Sequence, residues 1–351
     1  MPQPRVAVPD KALRTLVSDL FTAHGVSREH AETVADVLVW ANLRGVDSHG
    51  VSRIPRYLEL FENGQANARP NIDVNVLRPA VAILDADAAP GPVALTRAMD
   101  EAVTMARSAG AAWVAVRGTV HTGAIGYYTE RAAQYGMAGM GIVAGVPNMA
   151  YPGSNSAAVA TSPLSVAVPA GRHPTVLLDM ATAVIALGRI AQLKAQGKEL
   201  PEGAAITADG RLTTDPAEAK IPLPVGGAKG AGMSLLFEML AGGLTGNPIV
   251  TGYHSGEPEG RRHRQNALLM AIDIAAFAPV EEFRGIVDDT VDAIKALPKA
   301  DPDAEILVPG ERGAHTLDER SASGVPLPRK LVDELARLAA DKGVAVPPEM
   351  A

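Results

Sequence analysis

Helical and extended apolar segments alternate along this sequence without the regular βαβ metre that builds a doubly wound parallel sheet. Residues 11–24 are periodic at helical spacing and stop at Gly25, a natural left-handed terminator. Ser27 can cap a second helix, whose apolar positions Ala31, Val34, Val37, Leu38 and Ala41 run on to Gly45. A polar connection over 44–53 leads to a short helix over about 55–63. The middle is mixed. Strands are predicted over 81–85, 112–116, 140–144, 164–168, 175–179 and 267–274, and helices over 92–108, 126–135, 181–196, 233–244 and 280–297. Residues 199–224, rich in Pro, Gly, Thr and Asp, read as a long excursion, and 331–343 as a C-terminal helix. No repeat, heptad array or low-complexity tract interrupts this order.

Composition removes several classes of function. The 351 residues contain no cysteine, so disulfides, thiolate nucleophiles and Cys-ligated zinc are excluded. The net charge of −7 argues against general nucleic-acid binding, which needs clustered cations. The one dense basic cluster, Arg261, Arg262, His263 and Arg264, reads as a solvated loop. Residues 1–10 lack an apolar signal core, and no run of about 18 apolar residues occurs, so no membrane span is expected and the cytosol is the default compartment. Histidines lack metal-ligand spacing and no H-E-x-x-H occurs, so no metal is expected.

Four segments carry residues suited to chemistry. In Arg44-Gly45-Val46-Asp47-Ser48-His49-Gly50, two glycines bracket a Ser-His pair, and Arg53 follows four residues after His49. An imidazole exchanges protons near neutral pH, and a guanidinium matches a carboxylate. In Arg117-Gly118-Thr119-Val120-His121-Thr122-Gly123, a buried strand enters a Gly-rich turn bearing His121. On spacing alone, a histidine that only satisfies a loop or caps a helix explains each pattern as readily. Gly226-Gly227-Ala228-Lys229-Gly230 opens an apolar helix, where N–H groups and Lys229 suit an anion such as phosphate; it is not a Walker loop, since no Ser or Thr follows Lys229. In Asp179-Met180-Ala181-Thr182, a strand ends in an acid that either caps a helix or meets a ribose or amide. No G-x-G-x-x-G follows a strand with an acid about 20 residues on, so a dinucleotide would not be held in the Rossmann manner.

Taken together and in order, these motifs resemble the malate/L-lactate dehydrogenase family of the sulfolactate dehydrogenase-like type, whose relatives include ureidoglycolate dehydrogenase, 2,3-diketo-L-gulonate reductase and Δ1-piperideine-2-carboxylate reductase. The resemblance spans nearly the whole chain. It rests on residues 43–50, on 121–128, on Asp179 to Thr182 with Gly188-Arg189-Ile190, on 226–230, and on Pro309-Gly310-Glu311. It implies an α/β mixed, non-Rossmann fold: a mostly antiparallel mixed sheet with surrounding helices, plus a helical lobe built from both termini. The implied division is 1–75 with 312–351 as helical lobe, 76–125 as a small α/β segment, and 126–311 as the NAD(P)-binding domain. By the same resemblance, His49 and His121 are acid/base candidates, Ser48 and Arg53 line the substrate site, and Asp179, Met180, Ala181, Thr182, Ala228, Lys229, Gly310, Glu311 and Arg312 contact NAD or NADP. A homodimer with active sites near its interface is implied as well. The chain departs from the family's usual residues at 144–163 and at Thr122, where a large side chain is common, which touches substrate choice.

The expected activity is hydride transfer between nicotinamide and a small 2-hydroxy or 2-oxo acid, with Arg53 on the carboxylate and one histidine, His121 or His49, moving the hydroxyl proton. A cyclic 2-imino acid reductase and, more remotely, a non-catalytic nucleotide-binding protein are the alternatives.

Overall fold

The computed structural model of the chain describes residues 4–256 and 264–350. Arg261, Arg262 and His263 lie outside the described residues, whereas Arg264 is half-buried just ahead of a strand.

The chain opens with strand β1 (Arg5–Val8) and helices α1 (Asp10–Ala23) and α2 (Arg28–Leu43). Ser27 caps α2, its hydroxyl accepting from the His30 N–H at 3.3 Å. Two single 3-10 turns, Asp47–His49 and Val51–Arg53, lead into α3 (Ile54–Glu62). Then come β2 (Asp73–Arg78), β3 (Val81–Asp85), α4 (Gly91–Ala109), β4 (Ala111–Thr119), α5 (Gly126–Gln134) and β5 (Met137–Ala144). The short β6 (Met149–Ala150) and β7 (Ala157–Val159) form a ribbon before β8 (Leu164–Val168) and β9 (Val176–Met180). Helix α6 (Leu187–Gln196) precedes a small sheet of β10 (Ala205–Ile206), β11 (Leu212–Thr213) and β12 (Ile221–Pro222). The rest is α7 (Ala228–Phe237), α8 (Val250–His254), β13 (Gln265–Asp273), α9 (Val280–Lys295), α10 (Glu311–Ser323), β14 (Val325–Pro328) and α11 (Arg329–Asp341).

The main sheet has seven strands in the order β2-β3-β4-β13-β5-β8-β9. Only β3 and β4 pair in parallel; every other neighbour is antiparallel. The mixed, mostly antiparallel sheet is thus the one the family resemblance implies. Alternation along the strands sends Ala82, Leu84, Val114, Val116, Leu269 and Ala271 to a face covered by α4 and α5, where all are buried. On the other face, Val81, Trp113, Met270, Met140, Val166 and Leu178 line up in one row across six strands. That row stays partly open: Trp113 is 38% and Leu178 36% exposed.

A second core joins the two ends of the chain. Strand β1 pairs antiparallel with β14, and Val8, Leu13, Leu20, Leu38, Val325 and Leu335 pack in one cluster. Among the described residues no helix is long and apolar enough to cross a membrane.

Several local expectations are corrected. The predicted helix over 181–196 begins only at Leu187. Thr182 instead donates to the Thr161 carbonyl at 3.2 Å and accepts from the Val225 N–H at 2.9 Å, so tertiary pairing holds this stretch extended. The helix predicted over 233–244 starts earlier, at Ala228, and widens into a π-turn over Glu238–Gly243. There Glu238 turns to accept from the Ile249 and Val250 N–H groups. The excursion over 199–224 holds the small three-stranded sheet, and β1, β2, β14 and α10 carried no strong sequence signal.

Gly91 ties this scaffold to the site. A Cβ there would fall 2.3 Å from the His121 carbonyl oxygen and 2.4 Å from the Thr122 Cα. Because backbone cannot give way cheaply, Gly91→Ala should cost about 1–3 kcal/mol of stability, measured by urea unfolding, and should impair activity as well. An unchanged midpoint would show that α4 does not hold that turn.

Candidate active site

Four of the residues singled out above converge although 64 or more positions separate their segments. The rings of His49 and His121 stack with centroids 5.5 Å apart and planes 24° apart. The Ser48 hydroxyl lies 3.0 Å from His49 Nδ1, and Arg53 Nε donates to the Ser48 carbonyl at 2.5 Å. The first 3-10 turn carries Ser48 and His49, and the second ends at Arg53. Gly50 makes that succession possible: a Cβ at this position would fall 2.1 Å from Asn42 Oδ1. Gly188, in the first turn of α6, closes over the group, its would-be Cβ 3.0 Å from the Ser48 Cβ and 3.2 Å from an Arg53 guanidinium nitrogen.

His121 is held more tightly. Tyr57 Oη sits 2.7 Å from its Nδ1 and 3.2 Å from its carbonyl oxygen, and the Gly123 N–H approaches Nδ1 at 3.3 Å. Nδ1 is therefore occupied, leaving Nε2 for a ligand. The Tyr57 hydroxyl can donate to Nδ1, or accept from it while donating to the carbonyl, so it tolerates either protonation state. The turn is pinned further by Gln265, which accepts from the Thr122 N–H at 2.8 Å, and by Tyr128, which donates to the Thr122 carbonyl at 2.6 Å. Sequence reasoning missed Tyr57, although it lies four residues beyond Arg53, on the same side of a helical turn. Gln265 and Gly91 carried no local signal.

Burial is the first cause that pushes both imidazoles down, His49 to about 4 and His121 well below its ordinary range. Arg53 adds to the shift in both, and His49 adds to it in His121. Both rings still meet solvent from one side, so they are neutral groups presented at a surface. Burial likewise pushes the Tyr57 hydroxyl up, so it stays protonated at any ordinary pH.

The proposed cofactor segments meet beside this group. Asp179 caps α5 rather than a helix of its own, its Oδ2 accepting from the Gly126 N–H at 2.8 Å, five residues beyond His121. Surrounding protein pushes its carboxyl up to about 6, opposed by the Gly126 N–H and by Arg44. The residue also meets solvent along β9, so the shift is fullest when a ligand displaces that water. Thr182 Oγ1 is buried without a hydrogen-bond partner. Such an orphan is what a bound ligand's polar group would satisfy. A Cβ at Gly230 would fall 2.4 Å from the Thr182 carbonyl, so α7 presses directly on this strand end. The Lys229 side chain is exposed and makes no hydrogen bond or ion pair with the described residues, but the Lys229 and Gly230 N–H groups already reach loop carbonyls, which leaves less of an N-terminal anion cradle than the motif suggested.

At the third segment, the Gly310 carbonyl accepts from Arg44 Nη2 at 3.0 Å, and the Leu177 N–H donates to the Pro309 carbonyl at 3.0 Å. Glu311 is buried and its carboxylate is taken by Lys295 and the Val308 N–H, whereas Arg312 is exposed. Glu305, Glu311 and His315 cluster within 4.8 Å, but Lys295 already meets the two acids. A separate cavity of about 670 Å³ is lined by His24, Glu62, Asp87 and Arg264 and by none of the site residues.

A family model described as malate/L-lactate dehydrogenase matches residues 8–336. The chain is 35% identical over 349 residues to a malate dehydrogenase of Pyrococcus abyssi, covering 97% of this chain and 96% of the relative. It is 35% identical over 337 residues to an L-sulfolactate dehydrogenase of Methanocaldococcus jannaschii, covering 95% and 96%. The solved malate dehydrogenase of Pyrococcus horikoshii OT3 superposes with a TM-score of 0.89 at 31% identity, covering 98% of this chain and 97% of that one.

The depressed histidines give a test that needs no ligand. Below pH 6.5 the unfolded chain takes up protons at both imidazoles that the folded chain refuses, His49 until about pH 4. Their contribution to stability is therefore present above pH 6.5 and drains as pH falls toward 4. Urea midpoints at pH 7 and pH 5 should differ more for the native chain than for His49→Gln/His121→Gln; equal differences would rule out the neutral pair.

Proposed function

The chain belongs to the malate/L-lactate dehydrogenase family, and from that premise we propose that it moves a hydride between NAD or NADP and C2 of a small 2-hydroxy or 2-oxo acid, with His121 as the acid/base and Arg53 as the carboxylate anchor. The observation that supports this assignment most is the Tyr57–His121 contact, which ties up Nδ1 and leaves Nε2 as the working nitrogen. Relatives are named as NAD(+) enzymes in some cases and as NADP(+) enzymes in others. When bound, the nicotinamide supplies the hydride acceptor or donor.

The residues that would hold the cofactor are Asp179 to Thr182, Ala228 and Lys229, with Gly310 to Arg312; the partnerless Thr182 hydroxyl and the uncommitted Lys229 fit that reading. In oxidation, a neutral His121 takes the C2 hydroxyl proton at Nε2 while Nδ1–H points to the Tyr57 hydroxyl, a tautomer that gives up the 3.3 Å approach of the Gly123 N–H. In reduction the protonated ring returns it. Arg53 faces the carboxylate through its outer nitrogens, since its Nε is spent on Ser48. His49, stacked on His121 and steadied by Ser48, can hydrogen-bond the reacting oxygen through its own Nε2.

We also read the protein as a cytosolic homodimer acting on a free small carboxylate, without nucleic-acid or membrane partners. The open row Val81–Trp113–Met270–Met140–Val166–Leu178, together with Leu236, Met239 and Leu244 at 57%, 55% and 60% exposure, supports a covering partner.

His121→Ala should lower kcat by roughly 10²–10⁴-fold on the best acid of a panel that includes malate, lactate, sulfolactate, ureidoglycolate and a cyclic 2-imino acid. Parent-like turnover in that variant would end the acid/base assignment, and preference for the imine would move the chain to reductase chemistry. A bound carboxylate offsets the Arg53 charge that disfavours imidazolium. The acid limb of kcat should therefore lie at higher pH than that of kcat/KM, read from initial rates across pH 4.5–8. Coincident limbs would argue that the carboxylate does not sit on Arg53.

A further inference from the structure

The turn that presents His49 is fastened from the far end of the chain. Asp47 opens that turn. Its carboxylate is gripped by Arg320 of α10, Nη1 donating to Oδ1 at 2.6 Å and Nη2 reaching Oδ2 at 3.3 Å. Nη1 also donates to the Asn42 carbonyl at 2.5 Å, in the last turn of α2. Asn42 completes the frame: its Nδ2 donates to Asp47 Oδ1 at 2.7 Å, and its Oδ1 accepts from the Val51 N–H at 2.8 Å, across Gly50. The pair is sheltered, with side chains 13% and 30% exposed for Arg320 and Asp47. Both ends of the Asp47–Val51 segment are therefore tied to one side-chain frame. A forked guanidinium fixes direction as well as distance, which an ammonium cannot do.

We propose that Arg320 is a positioning residue for the reaction: acting through Asp47 and Asn42, it sets where the His49 imidazole stands against His121. Arg320 does not reach the reacting atoms. Its effect on turnover passes through a 3-10 turn of three residues, which has too few hydrogen bonds of its own to hold one orientation. The proposal rests on the reading of His49 as part of the active site.

The test compares Arg320→Met and Arg320→Lys with the parent in the full-length chain. The rings are followed by NMR of ¹³C-histidine-labelled protein, with the His49 signal assigned through His49→Gln, and kinetics are run alongside. In Arg320→Met, the His49 resonance should shift and titrate closer to an ordinary histidine. The kcat should fall roughly ten- to a hundredfold with cofactor affinity unchanged, and Arg320→Lys should recover part of both. Unchanged His49 titration with unchanged kcat overturns the proposal. So does a lower kcat with an unmoved His49 signal, which reduces Arg320 to a stabilising contact. Should Arg320→Met fail to fold, Asp47→Asn keeps the shape, breaks the charge pair and is read the same way. A shifted His49 signal in a protein whose parent turns over no 2-hydroxy, 2-oxo or 2-imino acid would sink the catalytic reading and leave the frame intact.

Discussion

Two imidazoles 5.5 Å apart beside one guanidinium cannot all carry positive charge. The rest of the site is arranged around that constraint. Burial first, and the Arg53 charge after it, keep both rings neutral in the resting protein, and an incoming anion would relieve the charge contribution. In the proposed reaction, proton exchange at His121 would thereby be coupled to occupancy by a carboxylate. A ring that charged before its substrate arrived would repel Arg53; one that could not charge at all would be useless as an acid. The Tyr57 hydroxyl fits both states because it can reverse its hydrogen bond without moving.

Much of this was legible in the sequence, for reasons that differ from place to place. Helical periodicity showed α1 and α2, Gly25 ended α1, and apolar runs marked the central strands. These are local signals, set by side-chain spacing and backbone freedom. His49 and His121 stood out because each lies in a glycine-bracketed polar turn, and their pairing followed only from the family resemblance; no spacing rule joins residues 49 and 121. Tyr57 was within reach, since it continues the series His49, Arg53 at intervals of four.

What failed was set by distant partners. Residues 181–186 have helical composition but are drawn out by Thr161 and Val225, bonds formed only once the sheet exists. Asp179 had the look of a cap for the following helix, yet it caps α5, which precedes it in the chain by some fifty positions. Glu311 gave no hint in its local pattern that its carboxylate pairs with Lys295, sixteen positions earlier. Arg320 offered no signal, because one arginine in an amphipathic helix looks like surface charge until Asp47 is seen opposite it.

The pairing of β1 with β14 has a consequence for how the molecule comes to exist. A ribosome delivers Ser48 and His49 early, but the strand that closes their lobe arrives some 270 residues later. Until then α1 and α2 lack Val325, Leu327, Val332 and Leu335, which complete their shared core. The nascent N-terminal segment must wait, apolar side outward, while the sheet forms beyond it. Activity should thus emerge only after β14 and α11 have been made, and the early chain is where a holding chaperone has most to protect.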